Sequence, residues 1–122
     1  MKGAVLDTSF ILTCIKQKID FFQELYLMGI KVLIPEQVVK EIQGIANDGN
    51  SKKAQLATLT LEILDKNKFK KFDLRLKNVD KGILKYAEKN SELYIATLDR
   101  EIKIQSNNPK IVIREKKRLE II

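Results

Sequence analysis

The sequence Gly3-Ala-Val-Leu-Asp-Thr-Ser9 sets a pattern that recurs later in the chain. The apolar run from Ala4 to Leu6 has the length and the β-branched content of a buried strand, and it stops at Asp7. After Thr8 and Ser9, a second apolar run from Phe10 to Ile15 has the character of a helix. Because ligands of open α/β sheets bind outside the carboxyl ends of the strands, Asp7 is in a position suited to chemistry. Asp7 or Thr8 is equally suited to capping the helix, since both residue types are favoured there.

The same pattern of strand, acid and helix returns at Asp99. The preceding run from Leu93 to Leu98 is almost continuously apolar, as an internal parallel strand should be. One or two helical turns through Ile102 and Ile104 follow the acid. Because parallel strands end at the same rim of a sheet, we expect Asp7 and Asp99 to lie on one rim.

The remaining sequence alternates between strand and helix patterns. Strands are predicted at residues 31–34 and 111–113, and helices around residues 19–28, 36–45 and 51–64 and from residue 80 onward. The basic run at 66–71 suits either a strand or a connector, and 75–79 reads as a polar loop. This alternation predicts a three-layer α/β/α sandwich with a mainly parallel central sheet and right-handed crossovers. At 122 residues we expect one domain, spanning residues 1–122.

The composition restricts the chemistry that is available. The chain has no histidine, so Ser-His-Asp catalysis, Cys-His catalysis and ordinary zinc sites lack their usual base or ligand. The single cysteine, Cys14, lies among apolar residues and is interpreted as a buried structural thiol. Chemistry therefore has to rest on carboxylates, lysines and hydroxyls. The net charge of +7 favours a polyanionic partner such as nucleic acid, although many lysine-rich proteins are simply well solvated.

Two further acids are candidates for the same rim. Glu41 lies at the boundary of the apolar stripe of its helix, so it is either a solvated flank residue or a neighbour of Asp7. Asp80 opens a helix, where capping alone would explain it. A cluster of four carboxylates needs positive charge to offset the repulsion, which a lysine or a divalent cation can provide. Oxygen-only ligation is what Mg²⁺ and Mn²⁺ prefer, and such ions lower the pKa of bound water for phosphodiester cleavage.

Taken together, these segments resemble PIN-domain ribonucleases. The resemblance rests on Val5-Leu-Asp-Thr-Ser9, on Glu41, on Asp80 ahead of Ile83-Leu-Lys-Tyr-Ala87 and on Ala96-Thr-Leu-Asp99, and it covers essentially the whole chain. The tail, with Asp99-Arg-Glu-Ile-Lys103 and a later Pro-Lys-Ile-Val-Ile segment, looks closest to the branch tied to ribosomal-RNA processing. Toxins of toxin–antitoxin pairs resemble it more distantly.

The resemblance implies an endoribonuclease that depends on Mg²⁺ or Mn²⁺, prefers single strands and leaves 5′-phosphate and 3′-hydroxyl ends. It implies that the catalytic residues are Asp7, Glu41, Asp80 and Asp99, with Asp7, Asp80 and Asp99 as the metal ligands. Thr8, Ser9 and Thr97 would support them. Five basic residues are the candidates for holding the RNA backbone: Arg100, Lys103, Arg114, Lys116 and Lys117.

Several alternatives and partners remain open from the sequence. The first rival is a catalytically silent RNA-binding module of a processing complex, and the second is a toxin that a small antitoxin masks. A small-molecule phosphatase is a third, but the sequence has no glycine-rich phosphate loop or nucleophile motif. The helix with Phe21, Phe22 and Tyr26 suits either a homodimer contact or the core, and a ribosome-assembly protein is another candidate partner. We expect a cytoplasmic protein, because no apolar run reaches the roughly 20 residues of a membrane span and Asp7 interrupts the only run that resembles a signal peptide.

Overall fold

A computed structural model describes residues 2–115 and 118–122. Its elements, in chain order, are β1 Lys2–Leu6, α1 Thr8–Lys16, α2 Phe21–Leu27, β2 Ile30–Pro35, α3 Glu36–Ala46, α4 Lys52–Asp65, β3 Lys70–Phe72, α5 Val79–Lys89, β4 Tyr94–Ala96, α6 Arg100–Gln105, β5 Lys110–Arg114 and β6 Arg118–Ile121. The longest helix, α4, has 14 residues. Within the described residues, no helix is both long enough and apolar enough to cross a bilayer.

The six strands form one sheet in the order β3-β2-β1-β4-β5-β6. All neighbours are parallel except β5 and β6, which pair antiparallel. The strand order reverses between β1 and β4, because the chain first builds outward from β1 on one side and then returns to its other side. A crevice opens at such a reversal, beyond the carboxyl ends of the strands. The register pairs Leu6 with Ala96, so Asp7 and Thr97 follow at the same level.

Helices cover both faces of the sheet. Successive side chains of a strand point to opposite faces, and β1 shows this directly. Ala4 and Leu6 pack into the larger apolar cluster, to which α1, α2, α3 and α4 contribute. Val5 packs with Ile83 of α5 and Ile102 of α6 in a second cluster on the other face. The predicted three-layer sandwich with a mainly parallel sheet is therefore confirmed.

The buried face of α4 does not follow its leucines. The side chain of Leu59 is 46% exposed. The buried residues are instead Ala54, Ala57, Thr60 and Leu64. Since α4 packs on α3 and α1, small side chains where these helices meet allow a close approach, and burial follows shape rather than hydropathy.

The chain after β5 and the exposed side of α2 add detail that the pattern did not resolve. Strand β6 was not predicted, and it forms because it pairs with β5 in a hairpin.

On α2, Phe21 is buried in the core and stacks on Phe22 with ring centroids 4.6 Å apart, whereas Tyr26 is 77% exposed. Phe21 is thus a core residue, and the homodimer stays a prediction that concerns Tyr26 and its exposed neighbour Leu27.

Candidate active site at the carboxyl ends of β1 and β4

Asp7 caps α1 with one carboxylate oxygen and binds the end of β4 with the other. Its Oδ1 accepts hydrogen bonds from the backbone N–H of Phe10 at 3.0 Å and from Oγ of Ser9 at 3.0 Å. Its Oδ2 accepts a hydrogen bond from the hydroxyl of Thr97 at the end of β4. The side chain is only 4% exposed. The capping interpretation is therefore right but incomplete, because the same carboxylate also joins two neighbouring strands.

Thr97 links the two strand-end acids. While its hydroxyl donates to Asp7, its Oγ1 accepts the backbone N–H of Asp99 at 3.0 Å. Asp99 caps α6, and its Oδ1 accepts the backbone N–H of Glu101 at 2.8 Å. One buried hydroxyl thus sets the position of Asp99 relative to Asp7 across the reversal of the strand order.

The charge on Asp7 is opposed by its surroundings. Burial raises the pKa of the Asp7 carboxyl above its ordinary value, and the negative charge of Asp80 adds to the rise. The hydrogen bonds from Thr97, Phe10 and Ser9 act in the opposite direction, because they stabilise the ionised form. The group is consequently a carboxylate whose ionisation depends on its hydrogen-bond donors.

Asp80 is not the cap of its helix. Asn78 caps α5, since its Oδ1 accepts the backbone N–H of Lys81 at 3.0 Å, and Asp80 lies in the first turn. The capping interpretation of Asp80 was therefore wrong. Partial burial raises the pKa of the Asp80 carboxyl, and the charges of Asp99 and Glu41 and a hydrogen bond with Asp99 raise it further. Asp80 therefore lies near enough to Asp99 and Glu41 for their negative charges to act on its carboxyl.

Glu41 lies on α3, with an exposed side chain that turns towards α1. Its Oε1 accepts a hydrogen bond from the hydroxyl of Thr8, the residue after Asp7. The boundary position predicted for Glu41 thus brings it to the rim, where Thr8 holds it. The structure brings all four predicted acids, together with Thr8, Ser9 and Thr97, to the carboxyl rim of β1 and β4.

The four acids offer the oxygen donors that a hard cation prefers, but they do not enclose a metal ion on all sides. The two ion pairs among the described residues, Lys40–Glu36 and Arg114–Glu120, do not include any of the four acids. Nor, in the described part of the chain, do three acidic or thiol side chains lie close enough to enclose a metal ion. Mg²⁺ is usually held by one or two carboxylates and several waters, so a set of oxygen donors that forms no ion pair with the described cations fits such an ion.

The predicted RNA-binding residues have different settings. Arg100 is exposed at the start of α6, and Lys103 is half-buried on the same helix. Arg114, at the end of β5, has its Nε 3.2 Å from Oε2 of Glu120, which offsets part of its charge. Lys116 and Lys117 lie outside the described residues.

A second group of cations near the acids was missed by the sequence analysis. A cavity of about 570 Å³ opens beside Glu41, and Lys40, Arg75 and Lys77 line it. The sequence indicated only a polar loop at 75–79, since nothing local in it connects this loop to α3. A larger cavity of about 830 Å³ lies between α2 and the amino ends of β2 and β3, away from the acids, and includes Phe22 and Phe69 in its lining.

Comparisons with known proteins agree with this architecture. Residues 4–117 match the model of a family described as a PIN like domain. The chain is 28% identical to Ribonuclease VapC4 of Methanocaldococcus jannaschii over 127 aligned positions, which cover 99% of this chain and 97% of that protein. Among solved structures, the PIN domain endonuclease Utp24 superposes with a TM-score of 0.77 at 23% identity, covering 97% of this chain and 90% of that one. VapBC2 from Rickettsia felis, solved bound to a DNA fragment from its promoter, gives a TM-score of 0.56 at 17% identity, covering 90% and 98%.

Proposed function

The chain belongs to the family of PIN-like domains, and on that premise we propose that it is a metal-dependent endoribonuclease that cleaves single-stranded RNA. The observation that carries the proposal is the hydrogen-bonded connection from Asp7 through Thr97 to Asp99, with Asp80 beside it. Similarity along nearly the full length to Ribonuclease VapC4 supports the choice of RNA as substrate. The whole of residues 1–122 forms the nuclease domain in this proposal.

Each acid has a distinct task in the proposed reaction. Asp7, Asp80 and Asp99 would hold Mg²⁺ or Mn²⁺, directly or through water. When bound, such an ion supplies positive charge for the phosphate oxygens and lowers the pKa of a bound water. Glu41, which the hydroxyl of Thr8 holds at the edge of the set, orients the attacking water.

The protein scaffold contributes by fixing ionisation and position. Ser9, Phe10 and Thr97 all donate to Asp7, and these hydrogen bonds favour the charged form of a carboxyl whose pKa burial raises. The backbone N–H of Asp99 donates to Oγ1 of Thr97, and Oδ1 of Asp99 accepts the backbone N–H of Glu101 at the start of α6. Its second carboxylate oxygen, Oδ2, is therefore the one available to a cation. In-line attack on the scissile phosphate would leave 5′-phosphate and 3′-hydroxyl ends.

An RNA cleavage assay with Asp7→Asn tests the proposal. Asn keeps the size of the side chain but removes the charge, so we expect cleavage of single-stranded RNA with Mg²⁺ or Mn²⁺ to fall at least about 100-fold. Asp48→Asn, which removes an exposed acid from the turn after α3, is the matched control and should cleave like the parent. Cleavage by pure Asp7→Asn protein at the parental rate would exclude this site as the source of activity. RNA binding without any cleavage by the parent would instead favour a catalytically silent RNA-binding module.

Two biological settings are proposed for the activity. The tail after Asp99 resembles the branch that processes ribosomal RNA, so we propose precursor ribosomal RNA as a substrate and a ribosome-assembly protein as a partner. The similarity to Ribonuclease VapC4 favours a second candidate, a toxin-type ribonuclease paired with an antitoxin. We propose a cytoplasmic location for either activity. Expression without other proteins separates them, because a toxin should arrest growth unless a small partner from the neighbouring coding region is supplied, and a processing enzyme should not.

A further inference from the structure

A cavity lies beside Glu41, one of the four acids of the candidate active site. It opens between α3 and the segment 73–79 that leads into α5, and we call it the Arg75 cavity. Glu41 lines it directly, and so does Val79, the residue before Asp80. The cavity is therefore continuous with the candidate active site.

The conformation of the loop that carries Arg75 is set by a pair of side chains. Oδ1 of Asp73 accepts hydrogen bonds from Nε2 of Gln37 at 2.6 Å and from the backbone N–H of Arg75 at 2.8 Å. Oε1 of Gln37 in turn accepts the backbone N–H of Leu74 at 3.1 Å. Arg75 has a backbone φ of 64°, a left-handed conformation that side chains other than glycine adopt rarely. Asp73 and Gln37 thus hold the backbone at Arg75 in a conformation that residues other than glycine rarely adopt.

The charges in the Arg75 cavity suit a phosphate backbone. Its lining includes three cations, Lys40, Arg75 and Lys77, and two carboxylates, Glu41 and Asp73. Glu41 belongs to the acid set, and Asp73 is already hydrogen-bonded to Gln37 and to the loop backbone. The planar guanidinium of arginine can give two parallel hydrogen bonds to phosphate oxygens.

The cavity also places cations on the side of the acids opposite Arg114. The sheet order places β3, which precedes Arg75, on one side of β1 and β4, and β5, which ends at Arg114, on the other. The acids lie between these two sides. A single strand that crosses the rim therefore meets cations both before and after the acids.

We propose that the Arg75 cavity binds the RNA backbone next to the scissile phosphate, with Arg75 and Lys77 contacting phosphate oxygens and the Gln37–Asp73 pair positioning Arg75. This inference rests on the proposed function, because RNA is the ligand it assigns. It adds a binding surface on the α3 side of the acids, opposite Arg114 at the carboxyl end of β5.

Binding measured without cleavage tests the subsite. The probe is a fluorescein-labelled single-stranded RNA of about 12 nucleotides, within the usual span of single-strand sites, in buffer with EDTA. The test protein carries Arg75→Gln with Lys77→Gln, and the control carries Lys85→Gln with Lys89→Gln on the later turns of α5. Both pairs remove two exposed cations, so any general charge effect is the same.

We expect the Kd of the test pair to rise roughly 2- to 30-fold, the range for two exposed charge interactions. The salt dependence of log Kd should flatten by about 0.7 for each phosphate that the substituted side chains no longer neutralise. The control pair should stay within about twofold of the parent, given the same range. Equal behaviour of the two pairs, or no RNA binding by the parent, would overturn the proposal. If the parent never cleaves RNA yet the test pair binds it more weakly, the nuclease proposal fails and the subsite stands.

The positioning role of Asp73 has its own readout. Asp73→Ala removes both hydrogen bonds to Oδ1, whereas Asp73→Asn removes the charge but keeps an oxygen for Gln37 and for the N–H of Arg75. Loss of negative charge alone should tighten RNA binding in both variants. Weaker binding by Asp73→Ala, restored in Asp73→Asn, supports positioning, and binding by Asp73→Ala as tight as that of Asp73→Asn contradicts it.

Discussion

Replacing Thr97 by valine removes the hydroxyl that connects the two strand-end acids. Thr97 is fully buried, and valine has nearly the same shape, so packing changes little. The hydroxyl donates to the carboxylate of Asp7 and accepts from the backbone N–H of Asp99 at 3.0 Å. Valine offers neither interaction, and it leaves a buried carboxylate oxygen and a backbone N–H without partners.

The expected loss of stability follows from these two hydrogen bonds. A hydrogen bond to a charged group contributes about 1.5–3 kcal/mol, and a neutral one about 0.5–1.5 kcal/mol. Thr97→Val should therefore lower the free energy of unfolding by about 2–4 kcal/mol, which at roughly 4 °C per kcal/mol lowers Tm by about 8–16 °C for a chain of this size. Thr97→Ser keeps the hydroxyl and loses one methyl group, so its loss should be about 1 kcal/mol, or about 4 °C.

The same variant should change the pH dependence of cleavage. The hydrogen bond from Thr97 lowers the pKa of the Asp7 carboxyl, so its removal lets burial raise that pKa further. If the ionised form of Asp7 is the active one, the acid limb of the pH–rate profile moves to higher pH in Thr97→Val and stays in place in Thr97→Ser.

Thermal unfolding of the parent and both variants, together with cleavage rates across pH, checks both expectations. Equal Tm values for Thr97→Val and Thr97→Ser would refute the energetic reasoning. Coincident acid limbs would refute the assigned role of Asp7 in its ionised form.

Three further predictions concern the same region. Asp7→Asn should unfold at a temperature at least equal to that of the parent at pH 7, because burial raises the pKa of Asp7 and so the folded state favours the neutral form more than the unfolded chain does. The advantage of the variant should shrink as the pH falls below the raised pKa. A large loss of stability at pH 7 in calorimetry would contradict this expectation. Gly82→Ala should lower the free energy of unfolding by about 1–3 kcal/mol in chemical denaturation, because an added Cβ would lie 2.9 Å from Cδ1 and 3.0 Å from Cβ of Leu74. Helix propensity alone predicts a gain in stability instead, and such a gain would show that Leu74 moves freely. Mn²⁺ at about 100 times its Kd should stabilise the parent by about 2.7 kcal/mol. It should stabilise Asp80→Asn by less at the same concentration, since the cation relieves the repulsion around Asp80. An identical shift in the thermal melts of both proteins would place the cation elsewhere.

Local sequence was sufficient for the parts of the site that depend on neighbouring residues. The runs before Asp7 and Asp99 predicted two buried parallel strands, and parallel strands end at one rim regardless of their order. Glycine after α2 predicted its end, and Gly29 indeed has a backbone φ of 73°. Local sequence was insufficient where an acidic residue suits either the cap of a helix or the candidate active site. Capping alone would have explained an acid at the start of α5, but Asn78 caps this helix and Asp80 does not.

Residues distant in sequence account for what was missed. The Gln37–Asp73 pair joins positions 36 apart, and the face that α4 buries depends on the shapes of α3 and α1. Neither produces a periodic pattern or a motif within one segment, so the cationic loop at 75–79 looked like ordinary polar surface.

For this protein, the sequence by itself determined the α/β class, the two strand-end acids and the restriction of chemistry to carboxylates, lysines and hydroxyls. Only the tertiary structure decided that β1 and β4 are neighbours, that Thr97 bonds to Asp7 across 90 residues of sequence, and that Glu41 reaches the rim through Thr8. The physical reason is that side-chain periodicity encodes which residues are buried, whereas strand order and the partner of each polar atom depend on which packing of the whole chain satisfies all buried groups at once.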